Sequence, residues 1–225
     1  MRNRGKLTLL LLLALFAALP AAAQPSCRLP QQVPVQACDR HEAPRGRSGD
    51  FDYYLLSFSW SPAFCATAAG RRSPLQCRDN RFGWVLHGLW PQYDASRGVT
   101  PSWPQYCSPV APVPEAVLRR HLCATPDPRL LQCEWAKHGS CAGFGSAAAY
   151  FDAMAAAAAR LRVPDPPAEG RGSATAMTAA LVAANPGLQP AMLQVLRRDG
   201  RIRKIRVCLD SGLRDFVACK GTGSR

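Results

Sequence analysis

Lysine, histidine and closely spaced cysteines are scarce in this sequence. Its 225 residues include four histidines and four lysines, yet Lys plus Arg total 28 against 15 Asp plus Glu, a formal net charge of +13. The basic charge is therefore almost entirely arginine, whose planar guanidinium group matches phosphate oxygens. No C-x-x-C pair occurs, which argues against a zinc ribbon or a thioredoxin-like redox site. The charge balance favours a polyanionic partner, with a merely solubilising surface as the alternative.

The amino-terminal segment has the features of a secretory signal peptide. Three basic residues precede an apolar run over Leu7–Leu19, and small residues follow at Ala21–Ala23. The run is shorter than the roughly 20 residues that a membrane-spanning helix needs, so an uncleaved anchor is the less favoured alternative. We predict a signal peptide over residues 1–23 and a single mature domain over 24–225, located in the periplasm or secreted. No later stretch is apolar enough to span a membrane, so no membrane contact is expected of the mature protein.

All ten cysteines follow the predicted cleavage site. An even number of cysteines in an exported chain predicts disulfide bonds, although their pairing stays open at this point. Each correct bond contributes about 2–4 kcal/mol, mainly by restricting the unfolded chain. The cysteines are Cys27, Cys38, Cys65, Cys77, Cys107, Cys123, Cys133, Cys141, Cys208 and Cys219.

Hydrophobic periodicity predicts strands and helices that do not alternate as βαβ units, which favours an α+β fold. In the second of the predicted strands, Val85, His87 and Leu89 are expected to share one face. The predicted strands are Phe51–Trp60, Arg81–Leu89 and Ile202–Leu209, with Phe216–Cys219 as a candidate last strand. The predicted helices are Glu115–Leu122, Leu130–His138, Ser146–Leu161 and Ser173–Ala184, the last with Ser173 as its N-cap.

The four histidines have different surroundings. His41 lies in a loop rich in Pro and Arg and is expected to be solvated, and His121 is expected to have a structural or surface role. His87 ends an apolar strand and precedes Gly88, which permits close approach of a ligand. Trp90 then offers an aromatic face for stacking. A buried core histidine is the alternative for His87.

The fourth histidine, His138, ends a predicted helix. Glu134 and His138 are four residues apart, and Lys137 is three from Glu134, so all three project from one face while Trp135 points to the core. Because the helix stops at Gly139, His138 is expected at an exposed end. A catalytic cluster and a solvated charge pattern are equally compatible with this spacing.

Two segments, "WVLHGLWPQY" and "CEWAKHGSC", resemble the active-site signatures of the ribonuclease T2 family. Their histidines, His87 and His138, lie 51 residues apart in the order that the family shows, and the likeness extends from about Tyr54 to Gly143. The resemblance implies a central antiparallel sheet flanked by helices in one disulfide-bonded domain. It also implies cleavage of single-stranded RNA with low base preference and without a metal or other cofactor.

The resemblance implies a role for each residue of the two signatures. His138 would be the base and His87 the acid that form a 2′,3′-cyclic phosphate, and the two would exchange roles in its hydrolysis to a 3′-phosphate. Lys137 would stabilise charge on the phosphate, and Glu134 would hold a cation or polarise the phosphate through a proton. Trp90 would stack on the base at the scission site.

The chain departs from the family pattern at two positions. Cys133 replaces a histidine that binds phosphate in many members, which implies weaker substrate binding or slower turnover. Gln92 stands where several members have an acidic residue that contacts the base. The resemblance also implies the bonds Cys65–Cys77, Cys107–Cys141 and Cys208–Cys219. Proximity in sequence then predicts Cys27–Cys38 and Cys123–Cys133.

The sequence thus predicts an exported, monomeric endoribonuclease acting on single-stranded RNA. One alternative is a catalytically weak or inactive relative that binds RNA through its basic surface alone. Another is a zinc site built from His87, Cys133, His138 and Cys141, which export disfavours because it promotes disulfides over thiolates.

Overall fold

A four-stranded antiparallel sheet is the centre of the fold. The computed structural model describes residues 27–39, 42–167 and 170–220, so the predicted signal peptide and His41 lie outside the described residues. The strands lie in the order β2–β1–β4–β3, and each neighbouring pair is antiparallel. Their bounds are β1 Tyr53–Trp60, β2 Trp84–Gln92, β3 Leu193–Arg198 and β4 Arg201–Asp210.

Helices flank the sheet, as the α+β prediction requires. Helices α5 and α6 contact the edge strand β2, and α6 also contacts β1, while α7 contacts β3. The helices are α1 Ser61–Cys65, α2 Ala68–Arg71, α3 Pro74–Cys77, α4 Glu115–His121, α5 Pro128–Lys137, α6 Ala147–Ala159 and α7 Ala174–Ala184. Within the described ranges, no helix combines the length and apolar character needed to cross a bilayer.

Side-chain caps explain where the main helices begin. The Ser173 hydroxyl accepts from the Ala176 amide at 2.9 Å, which confirms its predicted role as N-cap. Asp127 accepts from two amides of the first turn of α5, and Pro128 occupies the first helical position, where its missing N–H costs nothing. Helix α5 therefore begins two residues earlier than periodicity alone predicted.

Among the described residues, one strand and three short helices were not predicted from the sequence. Strand β3 and helices α1–α3 are too short or too weakly periodic to stand out in the sequence. Conversely, the candidate strand Phe216–Cys219 is wrong, because only Phe216 forms a bridge, to Leu209. That segment is held instead by the Cys208–Cys219 disulfide.

The two faces of the sheet have different surroundings. Tyr54, Leu56 and Phe58 of β1 belong to the main hydrophobic core and are at most 6% exposed. Burying a large apolar side chain in such a core contributes about 1.5–3 kcal/mol. Because strand residues alternate, Leu55 and Ser59 point to the opposite face, where the functional cleft lies.

A β-bulge in β2 changes which residues reach that cleft. Ser57 of β1 pairs with Gly88, whereas the next residue, Phe58, pairs with Leu86, so His87 is an extra residue without a partner position in β1. A bulge of this kind inserts one residue and redirects the side chains beyond it.

The predicted common face is therefore wrong for Leu89, whereas Val85 and His87 both lie on the side of Ser59. Leu86 and Leu89 both enter the core, at 6% and 0% exposure, although two residues lie between them. His87 and Trp90 both face the cleft for the same reason. Simple alternation cannot give this result, because a shift of one residue exchanges the two faces.

Five disulfides cross-link the described residues. The bonds Cys65–Cys77, Cys107–Cys141 and Cys208–Cys219 are those that the family resemblance implied. The two pairings based on sequence proximity are wrong, since the bonds are Cys27–Cys123 and Cys38–Cys133. The amino-terminal arm, residues 27–39, folds back along the segment that carries α4 and α5, and Arg119 donates to its Pro30 and Gln31 carbonyls. Cysteines distant in sequence therefore meet.

Candidate active site

A cleft of about 360 Å³ opens on the face of the sheet opposite the main core. It collects the catalytic and binding residues that the sequence predicted, together with three that the sequence analysis did not name: Leu55, Trp103 and Arg206. The residues that line it are Leu55, His87, Trp90, Gln92, Trp103, Glu134, Lys137, His138 and Arg206.

The two histidines both lie against one indole ring. The ring centroids of His87 and Trp90 are 5.4 Å apart, and those of Trp90 and His138 are also 5.4 Å apart. The two imidazole rings are therefore separated by no more than twice that distance. Strand β2 supplies one imidazole and the end of α5 supplies the other, so the two signature segments meet in one cleft.

Glu134 connects the two signature segments directly. The Trp90 Nε1–H group donates a hydrogen bond of 2.7 Å to Oε2 of Glu134, and Nε2 of His87 lies 3.6 Å from Oε1. A Cβ atom at Gly88 would overlap both the carboxylate and the indole nitrogen. The space beside Gly88 therefore admits these two side chains, rather than the ligand that the sequence analysis expected. On its other side, Nδ1 of His87 lies 3.2 Å from the Ser59 hydroxyl.

His138 is buried rather than exposed as predicted. Helix α5 ends at Lys137, and a 3-10 turn over Gly139–Cys141 follows at once, so the chain folds over the imidazole instead of leaving it at a free end. His138 is 8% exposed. Its Nδ1 atom is buried and has no hydrogen-bond partner within the described ranges.

Lys137 is engaged by the segment that follows the amino-terminal arm. Its Nζ atom lies 2.5 Å from Oε1 of Glu42 and 6.0 Å from the centroid of the Tyr106 ring. The Glu42 side chain is about half exposed, so water partly screens this ion pair. The predicted phosphate-stabilising cation therefore already has a carboxylate partner.

Strand β4 adds two cations that the sequence analysis missed. The Arg206 guanidinium carbon lies 5.2 Å from the Trp90 ring centroid, and Lys204 Nζ lies 5.9 Å from it. Both residues alternate with the buried Ile205 and Val207. The alternation of basic and apolar residues could have indicated that these cations share one face of the strand. The same alternation is also typical of an ordinary strand with one solvated face.

Burial controls the protonation of the cleft. Desolvation lowers the pKa of both His87 and His138, and the nearby charges of Lys204 and Arg206 lower that of His87 further. Desolvation also raises the pKa of Glu134 to about 8, against the opposing hydrogen bond from Trp90. Burial therefore favours the neutral form of all three groups. An anion in the cleft favours protonation of both rings.

A second hollow of about 290 Å³ adjoins the cleft. It shares His87 with the cleft and is also lined by Ser59, Phe64, Arg203 and Lys204. His87 thus lies between two spaces, whereas His138 lines the cleft alone.

The zinc alternative does not fit the cysteines. Cys133 and Cys141 are bonded to Cys38 and Cys107, so neither provides a thiolate ligand. The remaining histidine, His121, is buried, with Nε2 3.1 Å from an Asp152 carboxylate oxygen on α6, a structural arrangement.

The model of the ribonuclease T2 family matches residues 51–165, which contain both signature segments. This chain belongs to the ribonuclease T2 family. A "Probable ribonuclease" of Haemophilus influenzae is 46% identical over 109 residues, covering 44% of this chain and 39% of that protein. Ribonuclease I of Escherichia coli is 32% identical over 142 residues, covering 47% of this chain and 52% of that protein. The matched region thus spans about half, or less, of these relatives.

Solved structures support the same fold. An RNase-related protein from Calystegia sepium superposes with a TM-score of 0.61 at 21% identity, covering 78% of this chain and 93% of that one. RNase NT, in a complex with 5′-AMP, gives a TM-score of 0.56 at 22% identity, covering 78% and 94%. The T2 fold therefore extends beyond the segment that the family model matches.

Proposed function

We propose that this protein is an exported endoribonuclease that cleaves single-stranded RNA by metal-independent transphosphorylation. The observation that carries the proposal is the placement of His87 and His138 in one cleft, each with its ring centroid 5.4 Å from that of Trp90. RNA brings its own nucleophile, the 2′-hydroxyl, so two positioned proton-transfer groups and a nearby positive charge meet the needs of the reaction.

In the first step the 2′-oxygen attacks the adjacent phosphorus as a base removes its proton. The bond from phosphorus to the 5′-oxygen breaks, and an acid protonates that oxygen, which leaves a 2′,3′-cyclic phosphate. In the second step water loses a proton to the former acid and attacks phosphorus, and the former base protonates the departing 2′-oxygen. The product is a 3′-phosphate, and each proton transfer contributes roughly 10²–10⁴-fold to the rate.

The surroundings of the histidines support His138 as the first base and His87 as the first acid. His138 lines only the cleft that holds Trp90 and Trp103, where the nucleotide with the attacking hydroxyl is proposed to bind. His87 lies between that cleft and the second hollow, which suits protonation of the leaving nucleoside. The negative phosphate would raise the pKa of His87 and so allow it to carry the proton.

The other cleft residues are proposed to bind and stabilise the phosphate. Arg206 and Lys137 supply positive charge for the crowded phosphorane, and protonated Glu134 offers a hydrogen bond to a phosphate oxygen. Because Cys133 is bonded to Cys38, it cannot replace the family's phosphate-binding histidine. Trp90 is proposed both to stack on a base and to position Glu134.

The relatives and the disulfides support the substrate class and the compartment. Two bacterial relatives are named ribonucleases, and structures with the T2 fold contain 5′-AMP or 5′-UMP. Five disulfides favour an oxidising compartment. Together with the predicted signal peptide, they support a periplasmic or extracellular location.

A dinucleoside phosphate tests the proposal. The oxidised, folded protein should convert it first to a 2′,3′-cyclic phosphate and then to a 3′-phosphate, in the presence of excess chelator as in its absence. His87→Ala and His138→Ala should each nearly abolish the first step. Binding of single-stranded RNA without any cyclic product would support the inactive, RNA-binding alternative instead.

A further inference from the structure

We propose that the β3–β4 hairpin carries a basic strip, Arg198, Arg201 and Arg203, which binds the backbone of single-stranded RNA beyond the scissile phosphate. The inference rests on the proposed function and extends it, because it assigns a preference for long RNA over the shortest substrates. The strip continues the row of cations that begins with Arg206 in the cleft and Lys204 in the hollow beside it.

The sequence of the hairpin is unusually basic. Residues 197–206 read RRDGRIRKIR, with six basic side chains and a single acidic one, Asp199. Asp199 lies at the turn, where its carboxylate is 3.8 Å from Arg198 and 82% exposed. A fully exposed pair of this kind is largely screened by solvent, so the hairpin keeps a strong positive charge.

A second β-bulge gathers these charges on the cleft side. Leu196 pairs with Lys204, whereas the next residue, Arg197, pairs with Ile202, so Arg203 is the extra residue in β4. Ile202 and Ile205 therefore both enter the core, each with 0% exposure, although two residues lie between them. The side chains between them, Arg203 and Lys204, both line the hollow beside the cleft. Strict alternation would have sent one of the two into the core.

The strip extends from that hollow to the end of the hairpin. Arg197 pairs with Ile202 on the core side, so the following pair, Arg198 and Arg201, lies on the cleft side. From Arg206 to Arg201 the strand spans roughly 16 Å at about 3.3 Å per residue. The basic row is thus longer than one phosphate group requires.

A row of like charges calls for a partner of opposite charge. Its members repel one another, and the positive charge of Arg206 and Arg203 helps to lower the pKa of Lys204, after burial as the main cause. A strand of RNA presents a matching series of negative charges, and guanidinium groups bind phosphate oxygens in a bidentate manner. Since the row starts at the catalytic cations, a chain held in the cleft can continue along it.

The test compares two variants with equal loss of charge. In Arg198→Gln/Arg201→Gln, both changes lie on the strip and outside the cleft and the hollow. In the control, Arg197→Gln/Arg120→Gln, one change lies on the core side of the same hairpin and the other on α4, where Arg120 is 3.4 Å from Asp152 of α6. The ligand is a single-stranded 2′-O-methyl oligoribonucleotide, which the proposed reaction cannot cleave.

The strip variant should bind this ligand more weakly. Each lost phosphate contact reduces the slope of log affinity against log salt concentration by about 0.7 in magnitude, so the loss of two contacts should reduce it by about 1.4. Its kcat/KM on a long homopolymeric RNA should fall severalfold, while cleavage of a dinucleoside phosphate stays unchanged. Equal effects in the control would overturn the strip. Because binding is measured without cleavage, an inactive wild-type protein would overturn the proposed function and still leave the strip testable. The single variant Arg198→Gln, at a side chain that is 79% exposed, serves if the double variant fails to fold.

Discussion

Trp90 and Glu134 are joined by a hydrogen bond of 2.7 Å from the indole Nε1–H group to the carboxylate. Trp90 comes from the first signature segment and Glu134 from the second. The same carboxylate lies 3.6 Å from His87, so this bond links the position of α5 to an imidazole on β2. The absence of a side chain at Gly88 is what allows the two groups to meet.

This relationship predicts that Trp90→Phe lowers kcat more than it raises KM. Phenylalanine keeps an aromatic face for a base but cannot hold Glu134, and loss of one hydrogen bond of about 1.4 kcal/mol corresponds to roughly tenfold in rate. Steady-state kinetics on a dinucleoside phosphate provide the measurement. Trp103→Phe is the matched control, because the Trp103 N–H group donates to Gln105 at 3.3 Å and not to Glu134. A pure rise in KM for Trp90→Phe would leave stacking as its only role.

The lowered histidine pKa values predict an acidic optimum for kcat/KM. That parameter reflects the free enzyme, in which the base must be neutral and the acid protonated. Because burial lowers the pKa of both rings below the ordinary value of 6.5, both limbs of the profile should lie on the acidic side of it. An optimum well above that value would contradict the assignment.

Lys204→Gln should shift one limb of this profile. The ammonium group of Lys204 opposes protonation of His87, so its removal raises the pKa of His87 and moves the alkaline limb to higher pH. Lys220→Gln serves as the control, since Lys220 pairs with Asp94 at 3.3 Å outside the cleft. An unchanged limb in Lys204→Gln would argue that His87 is not the group that titrates there.

The sequence predicted the strands and helices that frame the cleft, because their apolar spacing is regular. It failed where one inserted residue interrupts that spacing. The bulge at His87 exchanges the faces of the residues around it, and the bulge at Arg203 has the same effect in β4. Alternation assumes a constant register, and the register depends on the partner strand, which a single sequence does not specify.

The residues in and around the cleft likewise include some that the sequence identified and some that it did not. His87, Trp90, Glu134, Lys137 and His138 belong to two short motifs, so their resemblance to the family identified them. Arg206 and Glu42 belong to no motif. Arg206 reaches the cleft through strand pairing, and the segment of Glu42 is held by the bridge between Arg45 and Gln105 and by the hydrogen bond from Gln105 to the Ala43 carbonyl. Their positions are properties of the tertiary structure.

Glu42 provides a prediction about substrate affinity. Its carboxylate neutralises Lys137 at 2.5 Å and adds negative charge near a cleft that is proposed to bind phosphate. Glu42→Gln should therefore lower KM about threefold, in keeping with the roughly 0.2–1 kcal/mol of partly exposed ion pairs, with little change in kcat. Glu115→Gln is the control, since both carboxylates are 49% exposed and Glu115 pairs with Arg119 on α4. A fall in kcat at constant KM would instead make Glu42 a positioning residue for Lys137.

The two disulfides of the arm should contribute to stability in a non-additive way. Cys27–Cys123 and Cys38–Cys133 span 96 and 95 residues. Their cysteines are nevertheless close in sequence at both ends, since Cys27 is near Cys38 and Cys123 is near Cys133. With one of them intact, the other closes a loop of only about 20 residues, which corresponds to about 3 kcal/mol in the chain-entropy model. With the first already removed, the second closes the long loop and is worth about 5 kcal/mol.

Paired Cys→Ser variants and denaturant unfolding measure this difference. Removing Cys38–Cys133 alone or Cys27–Cys123 alone should each lower the free energy of unfolding by the smaller amount, and removing both should cost more than the two single losses together. Strict additivity would mean that the arm remains ordered in the denatured state or that the two loops do not interact.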